Sequence, residues 1–375
     1  MNLSFWERDS YFSNIDVVVI GSGIVGINAA LHLRKKNKYL KIIILERGIL
    51  PMGASSKNAG FACFGSASEL IDDLKIQSEN EVFKLVEKRW KGLEKLRKNI
   101  GDKALDYHNW GGYELFDSEE KFEACNDKLS YLNKHIASIV GNKSVYKIAD
   151  KHIQKFGFKN ANHLLLNTAE SQIDTGKMMK ALIKKSIENN IDIINGIEVK
   201  AIEDNGETVE LKMADSTYIQ TKKVIIATNG FAKQFLPEYD LHPARAQVLI
   251  TEPIKNLKLK GAFHYDSGYY YFRNINNRIL LGGGRNIDFK GETTTDFGTT
   301  LPIQNKLEKL LYTTIIPYAK PTIDMRWSGI MGIGNQKQSI VKKVSTNIFC
   351  GVRMGGMGVA IGSLIGEEVA EQTLE

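Results

Sequence analysis

Gly21, Gly23 and Gly26 form a G-x-G-x-x-G pattern, placed behind the apolar run Ile15 to Ile20 and ahead of a helical periodicity through Ile24, Ile27, Ala30 and Leu31. Without side chains the backbone can turn sharply from strand to helix and approach a pyrophosphate closely. The helix amino terminus then offers free N–H groups and the positive end of its dipole. Glu46 follows Gly26 by about twenty residues, at the end of a second branched run from Lys41 to Leu45, with Arg47 beside it. A carboxylate there can hold ribose hydroxyls and disfavours a 2′-phosphate, so the pattern reads as a dinucleotide site.

These residues need a βαβ unit to position them, and Ile15 to Leu45 supplies one, with a parallel pair of strands. From about Glu69 to Lys159 the texture changes to charged amphipathic helices, Glu79 to Asn99 and Glu119 to Val140, interrupted by the aromatic segment Tyr107 to Phe116. A helix over Met178 to Asn189 and strands at Ile191 to Ile194, Glu198 to Glu203, Thr208 to Met213 and Val224 to Ala227 restore the α/β texture. Short aromatic strands at Gln247 to Thr251, Tyr269 to Arg273 and Arg278 to Leu281 predict an antiparallel sheet. A last strand, Asn347 to Cys350, leads through a glycine turn into a helix over Met357 to Thr373. The expectation is an α/β fold. A Rossmann-type dinucleotide domain comes from 1–68, 165–240 and 330–375, and a second α+β domain, built on the antiparallel sheet, from 69–164 and 241–329.

The chain has 375 residues, 43% hydrophobic and 25% charged, enough for two cores. Its formal charge of +7 is scattered, and the stretch Glu79 to Asn99 interleaves Glu with Lys and Arg as a solvated face does, which argues against a nucleic-acid partner. Cys63, Cys125 and Cys350 fall at no metal-ligand spacing, so no metal is expected, and a reducing compartment, by default the cytoplasm, suits them. The first fourteen residues carry Glu7, Arg8 and Asp9 and no signal-peptide core, and no uncharged stretch is long enough for a membrane span.

Gly53-Ala54-Ser55-Ser56-Lys57-Asn58-Ala59-Gly60 resembles the G-A-S-x-R-N-x-G stretch of the D-amino acid oxidase-like flavoproteins, which include glycine oxidase, sarcosine oxidase and γ-glutamylputrescine oxidase. The resemblance implies FAD, with Ala54, Ser55, Ser56, Asn58 and Gly60 at the pyrophosphate and flavin. Lys57 replaces the usual Arg, and it stands where some relatives carry a histidine bonded to the cofactor, so non-covalent FAD is implied. Val199 matches the strand that meets the adenine edge. Thr228 and Gly230, in Ile225 to Gly230, match an A-T-G-type strand end. Gly356, Met357 and Gly358 match the glycine turn beneath the flavin, where helix N–H groups face the ring edge that gains negative charge on reduction. Asp174-Thr175-Gly176, Leu281 to Gly284 and Arg326 to Gly329 keep the family's order.

What the family implies is oxidation of a C–N bond in an amine or amino acid, by hydride transfer to flavin N5 with O2 as acceptor. A quinone or protein acceptor, and an RNA-modifying flavoprotein, are the alternatives. Arg353, then Arg273 and Arg285, are the candidates to pair with a substrate carboxylate. Tyr269 and Tyr271 share one strand face and Tyr270 and Phe272 the other, so one pair can line a pocket while the other packs the core. Cys63 reads as a small buried thiol, and His108, His163, His242 and His264 show no partner pattern.

Overall fold

The computed structural model describes residues 2–375. The strands Ile15–Ile20 and Ile42–Glu46, branched throughout except at Asp16 and Glu46, pair in parallel at the centre of an eight-stranded sheet, Val17 opposite Ile42. Such runs suit strands covered on both faces. Tyr218–Ile226 lies in parallel on the other side of Ile15–Ile20, followed by Ile348–Val352, and Asp192–Asn195 adds to Ile42–Glu46. Val199–Asp204 and Val209–Met213 attach as an antiparallel ribbon.

Side chains alternate between two cores. Val17, Val19 and Ile44 face the helices Ile24–Lys36, Thr175–Glu188 and Gly358–Leu374, while Val18, Ile20 and Ile43 pack with Leu211, Ile219 and Cys350. Gly366 permits the close meeting of the first and last helices, since a Cβ on it would lie 2.7 Å from the Val25 carbonyl oxygen.

A second eight-stranded sheet runs in the order Ile323–Ile333, His242–Thr251, Arg278–Gly283, Tyr270–Ile275, Ala262–Tyr265, Gly112–Phe116, His163–Asn167 and Tyr146–Ile148. The expected antiparallel sheet is there, with one parallel pair where Ala262–Tyr265 meets Gly112–Phe116. Its core is aromatic: Phe263 and Phe272 stack with centroids 4.8 Å apart, and Leu301–Leu310 covers them.

Three segments depart from the sequence reading. The helix expected over Glu119 to Val140 divides into Glu119–Asn126 and Leu129–Val140, and the break lets Phe122 and Cys125 share one cluster with Leu132 and Ile136. The helix Glu79–Ile100, expected with the second sheet, also serves the first: Leu85, Leu93 and Leu96 join the core around Ile361. Gly92 makes that possible, for a Cβ there would lie 2.3 Å from the Ala360 carbonyl oxygen. The strand expected from Val224 begins at Tyr218, because alternation of buried and exposed residues carries it back along the ribbon. The three cysteines are free and buried. No described helix is long and apolar enough to cross a membrane.

Candidate active site

The glycine pattern forms a tight junction. Gly21 adopts φ +103°, and a Cβ at Gly26 would lie only 2.0 Å from the Gly21 carbonyl oxygen, so the helix Ile24–Lys36 begins directly against the strand end. A Cβ at Gly23 would meet Ser55 Oγ at 2.8 Å, and the bare position lets the 53–60 loop close over the helix start. There the Ile24 N–H donates to Ser55 Oγ at 3.0 Å.

Glu46 is 6% exposed and lines the cavity that starts at this junction. One of its oxygens accepts from the Ser22 N–H at 3.1 Å and the Ser22 hydroxyl at 2.7 Å, and the other accepts from the Gly48 N–H at 3.1 Å. A carboxylate has about four acceptor positions, so one remains for a hydroxyl. Arg47 also lines the cavity, its guanidinium 3.8 Å from the Phe231 ring centre.

The cavity measures about 380 Å³, within the range of small-molecule sites. Val199 and Glu46 line it, then Gly21, Gly23, Ala54, Ser55 and Asn58, together with Thr228 and the turn Gly356, Met357 and Gly358. Gly26, Ser56, Gly60 and Gly230 stand behind this wall and act through it. The Ser56 hydroxyl donates to the Pro51 carbonyl oxygen, and a Cβ at Gly230 would meet the Met331 carbonyl oxygen at 2.5 Å.

The later landmarks hold the loop in shape. The Asn58 side chain donates to the Ser55 carbonyl oxygen at 2.7 Å and accepts from the Gly60 N–H and the Thr175 hydroxyl, each at 2.9 Å. Trp327 Nε1 donates to the Lys57 carbonyl oxygen at 2.9 Å. Arg273 Nη1 donates to the carbonyl oxygens of Gly60 at 2.8 Å and Ile173 at 2.6 Å.

At the cavity's other end Tyr271 and Phe61 meet edge to face at 5.7 Å, and Phe61 meets His264 at 5.4 Å. The strand alternation is as read: Tyr271 faces the cavity while Tyr270 and Phe272 enter the core. Tyr269 precedes the strand and is half-exposed. Among the described residues the Tyr271 hydroxyl has no hydrogen-bond partner, and burial pushes it up to about 12. His264 lies 3.1 Å from Glu170, which is fully buried and also accepts from the Phe64 and Gly65 N–H groups at 3.2 Å. Burial disfavours charge on the imidazole, but Glu170, with Glu69 and Glu114 nearby, outweighs it and raises His264 to about 9.

The arginines expected to meet a substrate carboxylate do not reach the cavity. Arg353 adopts φ +63°, and that left-handed turn sends its side chain back to the 240 region, where it donates to the Gln338 and Asp240 carbonyl oxygens at 2.8 Å and to the Asp240 carboxylate at 3.0 Å. Arg273 is consumed by loop carbonyls, and Arg285 lies over the Phe289 ring at 4.9 Å. Conversely, Glu69, Phe61 and Met331 line the cavity without having been singled out. Glu69 had a visible signal, since Ser66-x-x-Glu69 is a capping box.

The cradle suits FAD on two observations. Its glycines leave space that any Cβ would fill, and Thr228 Oγ1 is buried in the cavity wall without a partner. The first turn of Gly358–Leu374 also faces the cavity, with Gly358, Val359 and Ala360 in the lining, and first-turn N–H groups have no partner within their own helix.

Sequence comparison finds 25% identity over 389 residues with the Gamma-glutamylputrescine oxidoreductase of Escherichia coli, covering 95% of this chain and 83% of that protein. The Probable oxidoreductase OrdL of Haemophilus influenzae is 23% identical over 376 residues, covering 96% and 83%. In fold, the chain is similar to glycine oxidase from Geobacillus kaustophilus, with a TM-score of 0.76 at 16% identity, covering 96% and 95%. The description "FAD dependent oxidoreductase" (DAO) matches residues 16–372. With that match spanning nearly its whole length, the chain belongs to the DAO family of FAD-dependent oxidoreductases.

Proposed function

We propose that this protein oxidises a C–N bond in an amine or amino acid, taking hydride from the carbon beside nitrogen, with O2 as the terminal acceptor. The observation that carries the reading is one continuous cavity joining the glycine cradle to an aromatic chamber formed by Phe61 and Tyr271. FAD, bound non-covalently, supplies the hydride-accepting ring.

Gly21, Gly23, Ser55 and Asn58 serve the diphosphate, Glu46 and Arg47 the ribose end, and Val199 the adenine. Thr228 and the Gly356, Met357 and Gly358 turn serve the flavin. The N–H groups opening the last helix supply positive potential where negative charge develops, which needs no reorganisation at the moment of reaction. Phe61 and Tyr271 exclude water from the chamber. His264 keeps its proton against Glu170 at neutral pH, so it is a poor base, and the amine reacts from its neutral form without one.

An anaerobic bleaching screen tests this. The purified protein is expected to be yellow and to lose its 450 nm absorbance rapidly with an amine or amino acid. Protein that stays colourless after soaking with FAD would overturn the cofactor assignment, and yellow protein bleached by neither class would overturn the chemistry. Peroxide formed in proportion to substrate under air supports O2, whereas its absence assigns a quinone or protein acceptor.

A further inference from the structure

The lysine and arginine side chains of the cavity wall, Lys57 and Arg47, are both on the cradle side. Arg47, Phe231, Phe297 and Lys57 form one chain of contacts: guanidinium on ring at 3.8 Å, ring on ring at 6.1 Å, ammonium over ring at 5.7 Å. Arg47 follows Glu46 and Lys57 lies in the 53–60 loop, so both cations belong to the cofactor cradle. In the aromatic chamber the charged lining residues are Glu69 and His264. His264 is committed to Glu170, and behind the wall Arg89 donates to the Phe64 carbonyl oxygen at 2.8 Å. Lys337 also stands near Glu69 but is paired with Asp73 at 2.6 Å, so Glu69 is the carboxylate that lines this chamber.

Glu69 is held in place by its own helix start. One oxygen accepts from the Ser66 N–H at 3.1 Å and the Ser66 hydroxyl at 2.8 Å. No hydrogen bond to the other oxygen is made among the described residues. The turn at Gly268 rests on the carboxylate, since a Cβ there would lie 2.7 Å from Glu69 Cδ, and Gly268 also lines the cavity. A carboxylate fixed in a half-buried wall with an open acceptor position favours an ammonium and rejects another carboxylate.

We infer that Glu69 sets the substrate class: a cationic amine with no carboxylate beside the reacting carbon, its second, non-reacting ammonium received by Glu69. This rests on the amine-oxidation reading above, and it selects among that reading's substrates. The chemistry matches an α,ω-diamine, in which one nitrogen reacts as the neutral amine while the other stays charged. An α-amino acid brings its carboxylate into a chamber where Arg273, Arg285 and Arg353 are all turned away.

The test uses the holoprotein reduced with dithionite under argon, which cannot oxidise an amine, and reads binding by calorimetry. Four probes share a short carbon chain: 1,4-diaminobutane, butylamine, 4-aminobutanoate and 2-aminobutanoate. The diamine is expected to bind about 10- to 100-fold more tightly than butylamine, the size of a charged hydrogen bond, and both amino acids more weakly than butylamine. Glu69→Gln keeps an acceptor for Ser66, so the helix start survives, and it should abolish the diamine preference. Equal binding of diamine and butylamine, tighter binding of either amino acid, or an unchanged preference in Glu69→Gln overturns the proposal. The same probes added to oxidised enzyme test the underlying reading separately: if none of them and no other amine or amino acid bleaches the flavin, amine oxidation falls, whatever the calorimetry gives.

Discussion

Gly26→Ala tests the cradle at its tightest point. The added Cβ would lie 2.0 Å from the Gly21 carbonyl oxygen, well inside the 3.4 Å at which ordinary contact begins, and 3.1 Å from Val19 Cγ1. The obstruction is backbone, so no rotamer relieves it and the helix must move away from the strand end by more than 1 Å, to order of magnitude. Overpacking of this kind costs about 1–3 kcal/mol, and the loss of glycine from a helix returns up to about 1 kcal/mol, leaving a net cost near 2 kcal/mol. With about 2.1 cal/mol/K of unfolding entropy per residue, a 375-residue chain shifts by roughly 1–2 °C per kcal/mol, so the cofactor-free protein should melt about 2–4 °C lower. The same displacement carries the Ile24 N–H and its neighbours away from the diphosphate, so FAD occupancy after gel filtration, read as the ratio of absorbance at 450 and 280 nm, should fall at least several-fold. Gly53→Ala is the control: it lies in the cavity wall in front of Gly26 at φ −75°, with nothing within 4 Å of its Cβ, and should melt with the parent. Parental melting and flavin content in Gly26→Ala would refute the reasoning.

Ser55→Ala removes the acceptor for the Ile24 N–H, and a cap of this kind is worth about 1 kcal/mol, so cofactor-free protein should melt slightly lower. Arg273→Met leaves the Ile173 carbonyl without its buried donor and the Gly60 carbonyl with the Ile173 N–H alone, at 2.9 Å; a loss of about 1–3 kcal/mol and shed FAD are expected in melting and absorbance, and an effect confined to substrate KM would contradict the loop-fastening role. His264 is raised to about 9 in the fold from an ordinary 6.5, so its stabilising pair with Glu170 is complete below pH 6.5 and is lost as pH climbs through 9. Melting temperatures should decline across that window, with Glu114, which burial raises to about 7, adding a decline between pH 4.5 and 7; His264→Gln should flatten only the upper part, and an unaltered profile would refute the pairing.

The cofactor half of the molecule was legible because its chemistry is local. Three glycines, a carboxylate about twenty residues on and a small-residue loop each mark a backbone conformation that few other residues tolerate, and the order of the landmarks brought them to one cavity. The βαβ runs were legible for a related reason, since burial on both faces of a parallel sheet leaves near-continuous branched residues. The helix Glu79–Ile100 was harder to assign: its periodicity shows that an apolar side exists, while the partner of that side depends on Gly92 meeting Ala360, a contact between residues far apart in the chain.

Arg353 shows why the substrate end resists the same reading. Its place just before the glycine turn suggested a side chain aimed at substrate, but aim is decided by one backbone dihedral, and φ +63° turns the guanidinium to Asp240 instead. Arg273 fails differently: it lies on the same strand as Tyr271, two residues further on, and the carbonyls of Gly60 and Ile173 reach it before any ligand can. Bidentate pairing makes arginine a natural guess for a carboxylate, yet the same five donors make it an effective fastener of loop carbonyls, and sequence carries no sign of which use prevails. A carboxylate such as Glu69 is constrained more simply. Once Ser66 and Glu69 are recognised as a capping box, one oxygen is fixed at the helix start and the other must face whatever surrounds that start, here the aromatic chamber.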